Sequence, residues 1–109
     1  MPKEIFYYQT TDGDLPFYRW LRTLDNQTKA RVEARIKRLP ADNLGDFKSV
    51  GSGILELRLH FGPGYRIYLV ECADIWVLLL CGGDKSTQEN DIRMAKFYWE
   101  DYKTRRLGE

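Results

Sequence analysis

A chain of 109 residues has room for one hydrophobic core, and a single domain spanning 1–109 would bury roughly two thirds of the surface its unfolded form exposes. With 43% apolar and 14% aromatic residues it is not a disordered tail, while 30% charged residues predict a polar surface. The net charge of +1 gives no overall attraction to nucleic acid, so any affinity for phosphate must come from where the cations sit.

Cys72 and Cys81 lack Cys-x-x-Cys spacing and have no clustered His, which points to reduced thiols rather than to a zinc site or a disulfide framework. No basic stretch leads into an apolar run of signal-peptide length, and no segment approaches about 18 continuous apolar residues. A cytoplasmic location without membrane contact is therefore expected.

In chain order, Ile5 to Tyr8 is a β-branched and aromatic run closed by Gln9-Thr10-Thr11-Asp12-Gly13, which predicts an opening strand and a turn. Asp12 or Asp14 can cap a helix from about Leu15 to Thr23, with Pro16 in its first turn and Phe17, Trp20, Leu21 and Leu24 at helical spacing. Asp25 is the N-cap expected for a second helix, which runs to about Leu39 before Pro40 and carries Val32, Ile36 and Leu39 as its apolar stripe. From Ile54 the period becomes two: Leu55, Leu57, Leu59 and Phe61 alternate with Glu56, Arg58 and His60, as in a half-buried strand. Phe61-Gly62-Pro63-Gly64-Tyr65 reads as a turn into a strand over Tyr65 to Glu71. Ile75 to Cys81 is almost wholly apolar, as in a central strand covered on both faces. Ser86-Thr87-Gln88-Glu89 has the spacing of a capping box for a final helix carrying Ile92, Ala95, Trp99 and Tyr102 on one side. The fold class expected is α+β.

If residues 62–64 form a three-residue loop, His60 lies opposite Arg66 and Arg58 opposite Tyr68, on one face of the sheet, with Cβ atoms about 5 Å apart. If Glu71 faces Ile75 across the next turn, Arg66 lies opposite Leu80, and the chain leaving that strand carries Lys85 past the same end. Crowded cations are costly without a compensating anion, which points to a phosphate site. RNA can be cleaved without metal by its own 2′-hydroxyl, given proton transfer and cations for the charge building on phosphorus. Imidazole, with a reference pKa of about 6.5, makes His60 the natural proton carrier. Arg58, Arg66 and Lys85 would stabilise the transition state, and Glu56 or Tyr68 would orient His60 or share the proton. The structural alternatives are ordinary: His60 as a surface residue, and Arg58 and Arg66 as partners of Glu56 or Glu71. The five cations between Lys29 and Arg38 read more simply as a solvated helix face, and Gly82-Gly83-Asp84-Lys85-Ser86 as a strand-to-helix turn.

Glu56 to Tyr68 (ELRLHFGPGYRIY) and Leu78 to Gln88 (LLLCGGDKSTQ), with Asn43 to Gly51 before them, resemble the addiction-module killer proteins, a HigB-like branch of the RelE/ParE superfamily. The likeness covers nearly the whole chain. It implies a RelE-like α+β fold with two N-terminal helices packed on a small antiparallel twisted sheet, plus a C-terminal helix. It further implies a type II toxin that cleaves mRNA on the ribosome without metal or cofactor. The implied partners are a cognate helix-turn-helix antitoxin, the ribosome and mRNA, with operator DNA reached only through the antitoxin. Arg66 matches the phosphate-binding arginine of RelE-like nucleases and Lys85 a further cation, while Lys48 and Arg58 correspond loosely to basic residues of the RNA-facing sheet. RelE itself carries a catalytic tyrosine where this chain offers Asp91 and Ile92, so His60 is the substitute expected. The alternative within the superfamily is a ParE-like gyrase poison, or an inactive homologue acting only through antitoxin and operator.

Overall fold

A computed structural model describes residues 2–73 and 75–107. Among these residues five strands form one mixed sheet in the order β1-β5-β4-β3-β2. The strands are β1 (Glu4–Tyr7), β2 (Phe47–Ser49), β3 (Leu55–Leu59), β4 (Tyr65–Cys72) and β5 (Trp76–Asp84). β1 runs parallel to β5 and all other neighbours are antiparallel, so the wholly antiparallel sheet expected from the sequence is corrected by its first strand.

Helices α1 (Pro16–Leu21) and α2 (Asn26–Ile36) lie on one face, where Phe17, Leu21, Val32 and Ile36 meet Leu57, Leu59, Ile67, Leu69, Val77 and Leu79. Helix α3 (Gln88–Leu107) covers the other, packing Ala95 and Tyr98 against Tyr68, Val70, Leu78 and Leu80. β4 and β5 are thus covered on both sides, which is why Trp76 to Cys81 is apolar without alternation. Asp25 caps α2 through the Thr28 amide at 3.1 Å, as expected. The helix stops at Ile36 and passes into a short 3-10 turn, Leu39–Ala41, instead of continuing to Leu39. The last helix is preceded by a 3-10 turn whose cap is Asp84 rather than Ser86: its carboxylate accepts from the Ser86 amide at 2.8 Å. No helix among the described residues is long and apolar enough to cross a membrane.

Two registers differ from expectation. β3 ends at Leu59, which pairs with Tyr65, so the connection spans residues 60–64. Gly62 and Gly64 there take positive φ of 55° and 80°, closing a tight turn in which the Gly64 amide donates to the Phe61 carbonyl. Between β4 and β5, Glu71 faces Val77, and Arg66 faces Gly83 rather than Leu80. The expected turn from Glu71 to Ile75 includes residue 74, outside the described residues. A bulge beside Tyr68 and Leu69 then turns both Leu80 and Cys81 towards α3.

Candidate functional site

The register shift of β3 against β4 is two residues, so it preserves which side chains share a face while changing who stands opposite whom. Arg58 faces Arg66, which faces Gly83; Lys48 faces Glu56, which faces Tyr68, which faces Cys81. These two adjacent rows cross the α3 side of the sheet. Arg58, Arg66, Glu56, Tyr68 and Lys48 therefore share a face, as the period-two pattern required.

The centre of the cluster is Glu56, whose side chain is fully buried. Its carboxylate accepts from Tyr68 Oη at 2.9 Å, Gln88 Nε2 at 2.8 Å and Arg58 Nε at 3.3 Å, and lies 3.8 Å from Arg66 Nε. Burial pushes its pKa up, but hydrogen bonds from Gln88, Tyr68 and Arg58 and the charge of Arg66 outweigh that and hold it below the usual range. Burial, and then the hydrogen bond to Glu56, push the Tyr68 phenol well above its usual value. Arg66 donates Nη1 to the carbonyls of Gly64 and Tyr65, while its buried Nε finds no hydrogen-bond acceptor among the described residues. One carboxylate thus compensates two guanidiniums, and the cluster keeps one net positive charge.

Lys85 sits beside it. A β-carbon built on Gly64 would lie 3.4 Å from Arg66 Nη1 and 3.5 Å from Lys85 Cβ, so both side chains border the same turn. Lys48 and Lys85 are both exposed and stand on either side of the arginines. The same end of α3 also carries acid: Asp91 accepts from the Thr87 hydroxyl at 2.5 Å, and burial pushes its pKa up.

His60 is not a member. It follows β3 as the first residue of the connecting loop, is exposed, and its Nε2 pairs with Asp46. It borders a cleft of about 250 Å³ lined by Arg31, Arg35, Arg38 and Phe61, on the α2 side. The expected contact with Arg66 fails because the loop is longer than three residues, and Phe61 is held against Tyr65 and under the Arg31 guanidinium.

Two further contributors are not announced by the sequence. Gln88 was seen only as part of a capping pattern, although a polar side chain in the first turn of a helix lying on the sheet is placed to reach a buried carboxylate. Arg35 belongs by sequence to the cations expected on a solvated face. It is 9% exposed and donates to the carbonyls of Leu44, Asp46 and Arg58, which fixes the backbone of β3 directly beneath the Arg58 side chain. Among the described residues, no three His, Cys, Asp or Glu side chains gather as a metal-ligating group.

No known protein-family profile matches the chain. It is 55% identical over 83 residues to an uncharacterized protein of Haemophilus influenzae, a match covering 75% of this chain and 84% of that protein. The chain belongs to the family of that protein. The relative brings no activity with it, so the chemistry of the site must be argued from its own residues.

Proposed function

We propose that this protein is the toxin of a type II toxin–antitoxin pair, a RelE-like endoribonuclease that cleaves mRNA on the ribosome. One observation carries it: Arg58 and Arg66 stand directly opposite each other on adjacent strands, with a single buried carboxylate behind them. A bound phosphate would supply the compensating charge that Glu56 alone does not, and Lys48 and Lys85 lie where the flanking phosphates of an RNA strand would pass. In that reading the neighbouring 2′-hydroxyl attacks phosphorus as the P–O5′ bond breaks, leaving a 2′,3′-cyclic phosphate and a 5′-hydroxyl. Water takes the 2′ proton and returns one to the 5′-oxygen, while Arg66, Arg58 and Lys85 stabilise the charge developing on phosphorus. Glu56, Tyr68 and Gln88 are positioning residues, since the carboxylate is enclosed and the phenol bound to it. The RelE-like arrangement belongs to the same proposal: α1 and α2 share one sheet face as in that layout, with a parallel β1 and α3 on the opposite face as departures from it.

A binding protein without chemistry also has a specific observation in its favour. The proton carriers of the cluster, Glu56 and Tyr68, are buried and bonded to each other, and His60 lies elsewhere. Inducing the chain in bacteria while following mRNA integrity and gyrase-dependent DNA breaks separates the possibilities. Ribosome-dependent loss of mRNA, reduced about a hundredfold by Arg66→Ala in a variant that still folds, is the result expected of the nuclease. Intact mRNA with broken DNA would mark a ParE-like poison, and intact mRNA and DNA with retained RNA binding would mark a binder.

A further inference from the structure

The sheet has two edges of different character. β2 is three residues long and carries Lys48, the kind of short, charged edge that resists pairing with another chain. β1, four residues long, has its one charge at its start, on the exposed Glu4, and the run Ile5-Phe6-Tyr7 that follows carries none. Phe6 and Tyr7 are 46% and 43% exposed, and a groove of apolar and aromatic side chains flanks the strand on each face, bordered by Glu4 and Arg106 on one and by Glu33 and Lys37 on the other. On the α3 side the groove measures about 320 Å³ and includes Phe6, Trp76, Leu78 and Tyr102. On the α1 and α2 side it measures about 410 Å³ and includes Ile5, Tyr7, Tyr18, Leu21 and Ile36.

The backbone of this edge is open over a defined stretch. The Glu4 and Tyr8 amides donate inward to the carbonyls of Ile75 and Leu79 on the β5 side, so the intervening Ile5 and Tyr7 turn their N–H and C=O groups outward. Among the described residues no partner meets them. At either end the edge is closed from within the chain: the Lys3 amide donates to the Pro40 carbonyl, and the Gln9 carbonyl accepts from Arg105 Nη2. The free groups are therefore those of two residues placed symmetrically about Phe6.

We infer that β1 is a homodimer interface: a second copy of this chain pairs its own β1 antiparallel to the first about a two-fold axis at Phe6, making a continuous ten-stranded sheet. Ile5 of each copy then faces Tyr7 of the other, and each pair exchanges its N–H···O bonds, filling every open group of the edge. Phe6 faces its symmetry mate as the non-hydrogen-bonded pair on the α3 side, beside Trp76, whose ring already meets Phe6 edge-on at 5.8 Å. Apart from one acid and one base in each, the grooves are lined by apolar and aromatic side chains, which suits an occupant apolar on both faces rather than the alternating pattern of a half-exposed strand. Ile5-Phe6-Tyr7 is such a run. The Arg58 and Arg66 cluster spans β3 and β4, away from this edge, so pairing leaves it open and the inference stands apart from the proposed function.

The test uses the whole chain in sedimentation equilibrium, with amide exchange read at single residues. The expected result is a reversible monomer–dimer equilibrium in which the Ile5 and Tyr7 amides gain protection as the dimer fills, while Phe6→Lys gives a folded monomer. Register is read by oxidative cross-linking in a Cys72→Ser background. Phe6→Cys should form a disulfide-linked dimer, because facing Cα atoms in a non-hydrogen-bonded pair are about 4.5 Å apart. Glu4→Cys should not, since its symmetry mate would be roughly 14 Å away. A chain that stays monomeric up to about 1 mM, where even an interface worth about 4 kcal/mol is half filled, would overturn the inference. So would a dimer whose Ile5 and Tyr7 amides exchange freely, or one that cross-links equally well from Glu4→Cys.

Discussion

Replacing Glu56 by Gln keeps the shape of the buried side chain and removes its charge, which isolates the electrostatic role of the carboxylate. Tyr68 and Gln88 can rotate to donate to the remaining amide oxygen, so their hydrogen bonds are largely recoverable. The guanidiniums are not equally placed to adjust. The Arg58 side chain is 29% exposed and can turn towards water, whereas that of Arg66 is 12% exposed and keeps a buried Nε beside the site of the lost charge. Removing one partner of a fully buried pair costs about 3–5 kcal/mol, and the partial exposure here lowers the expectation to about 2–3 kcal/mol. With a urea slope of about 1–3 kcal/mol per molar, the unfolding midpoint should fall by about 0.7–3 M with the slope unchanged. The pH dependence gives a second readout. Because the folded state holds the Glu56 pKa below its ordinary 4.5, its contribution is complete above that value and is lost as pH falls through the folded pKa. The gap between the native chain and Glu56→Gln should therefore close in acid. A Glu56→Gln midpoint matching the native one at neutral pH, or a gap that persists unchanged in acid, would refute the claim that Glu56 compensates the arginines.

Arg35→Met should destabilise by about 3 kcal/mol, because the carbonyls of Leu44, Asp46 and Arg58 lose their buried donor, and faster amide exchange at Arg58 and its neighbours checks where the damage lies. Gly83→Ala should lower the thermal midpoint, since its β-carbon would lie 1.8 Å from Asp91 Oδ2 and 2.8 Å from Thr87 Oγ1 and must push both side chains out of their hydrogen bond, at a cost of about 1–3 kcal/mol. Calorimetry against a Gly53→Ala control, where a β-carbon meets nothing within 4 Å though φ is +82°, separates crowding from backbone strain.

Much of this was visible in the residues. The alternation from Leu55 to Leu59 and the unbroken apolar run of β5 each follow from how many faces of the strand are covered, and coverage leaves a local trace. Parity survived the register error for the same reason: Leu57 and Ile67 must face the α1 and α2 core, so Arg58 and Arg66 must face away whatever the loop length. Register itself depends on where a turn closes, and Gly62-Pro63-Gly64 permits closure from residue 60 as readily as from 62. β2 left no trace because Phe47, Lys48 and Ser49 are all exposed, and a strand with no buried face has no period to read. The parallel placement of β1 is set by which edge of β5 remains free, which no local pattern encodes. Arg35 escaped for a related reason: its acceptors are backbone carbonyls, so no partner side chain in the sequence announces that it is buried.

The displacement of His60 carries a consequence that discriminates between two faces of the sheet. Asp46 pairs with the imidazole through its side chain, while its carbonyl accepts from both Arg35 Nη2 and the Arg58 amide, so His60 is tied to the backbone frame beneath the arginines rather than to the arginines themselves. That hydrogen bond, with the charges of His60, Arg58 and Arg35, holds the Asp46 carboxyl below its usual range. If RNA is cleaved at the Arg58 and Arg66 cluster, His60→Gln should leave the rate within about threefold of native and the pH profile unaltered, while Arg66→Ala loses about a hundredfold. Single-turnover cleavage on programmed ribosomes across a pH series measures both. Should His60→Gln instead abolish cleavage and Arg66→Ala spare it, the reacting phosphate would lie on the α2 face, among Arg31, Arg38 and the imidazole. The paired arginines behind Glu56 would then be a structural device that holds β3 and β4 against α3.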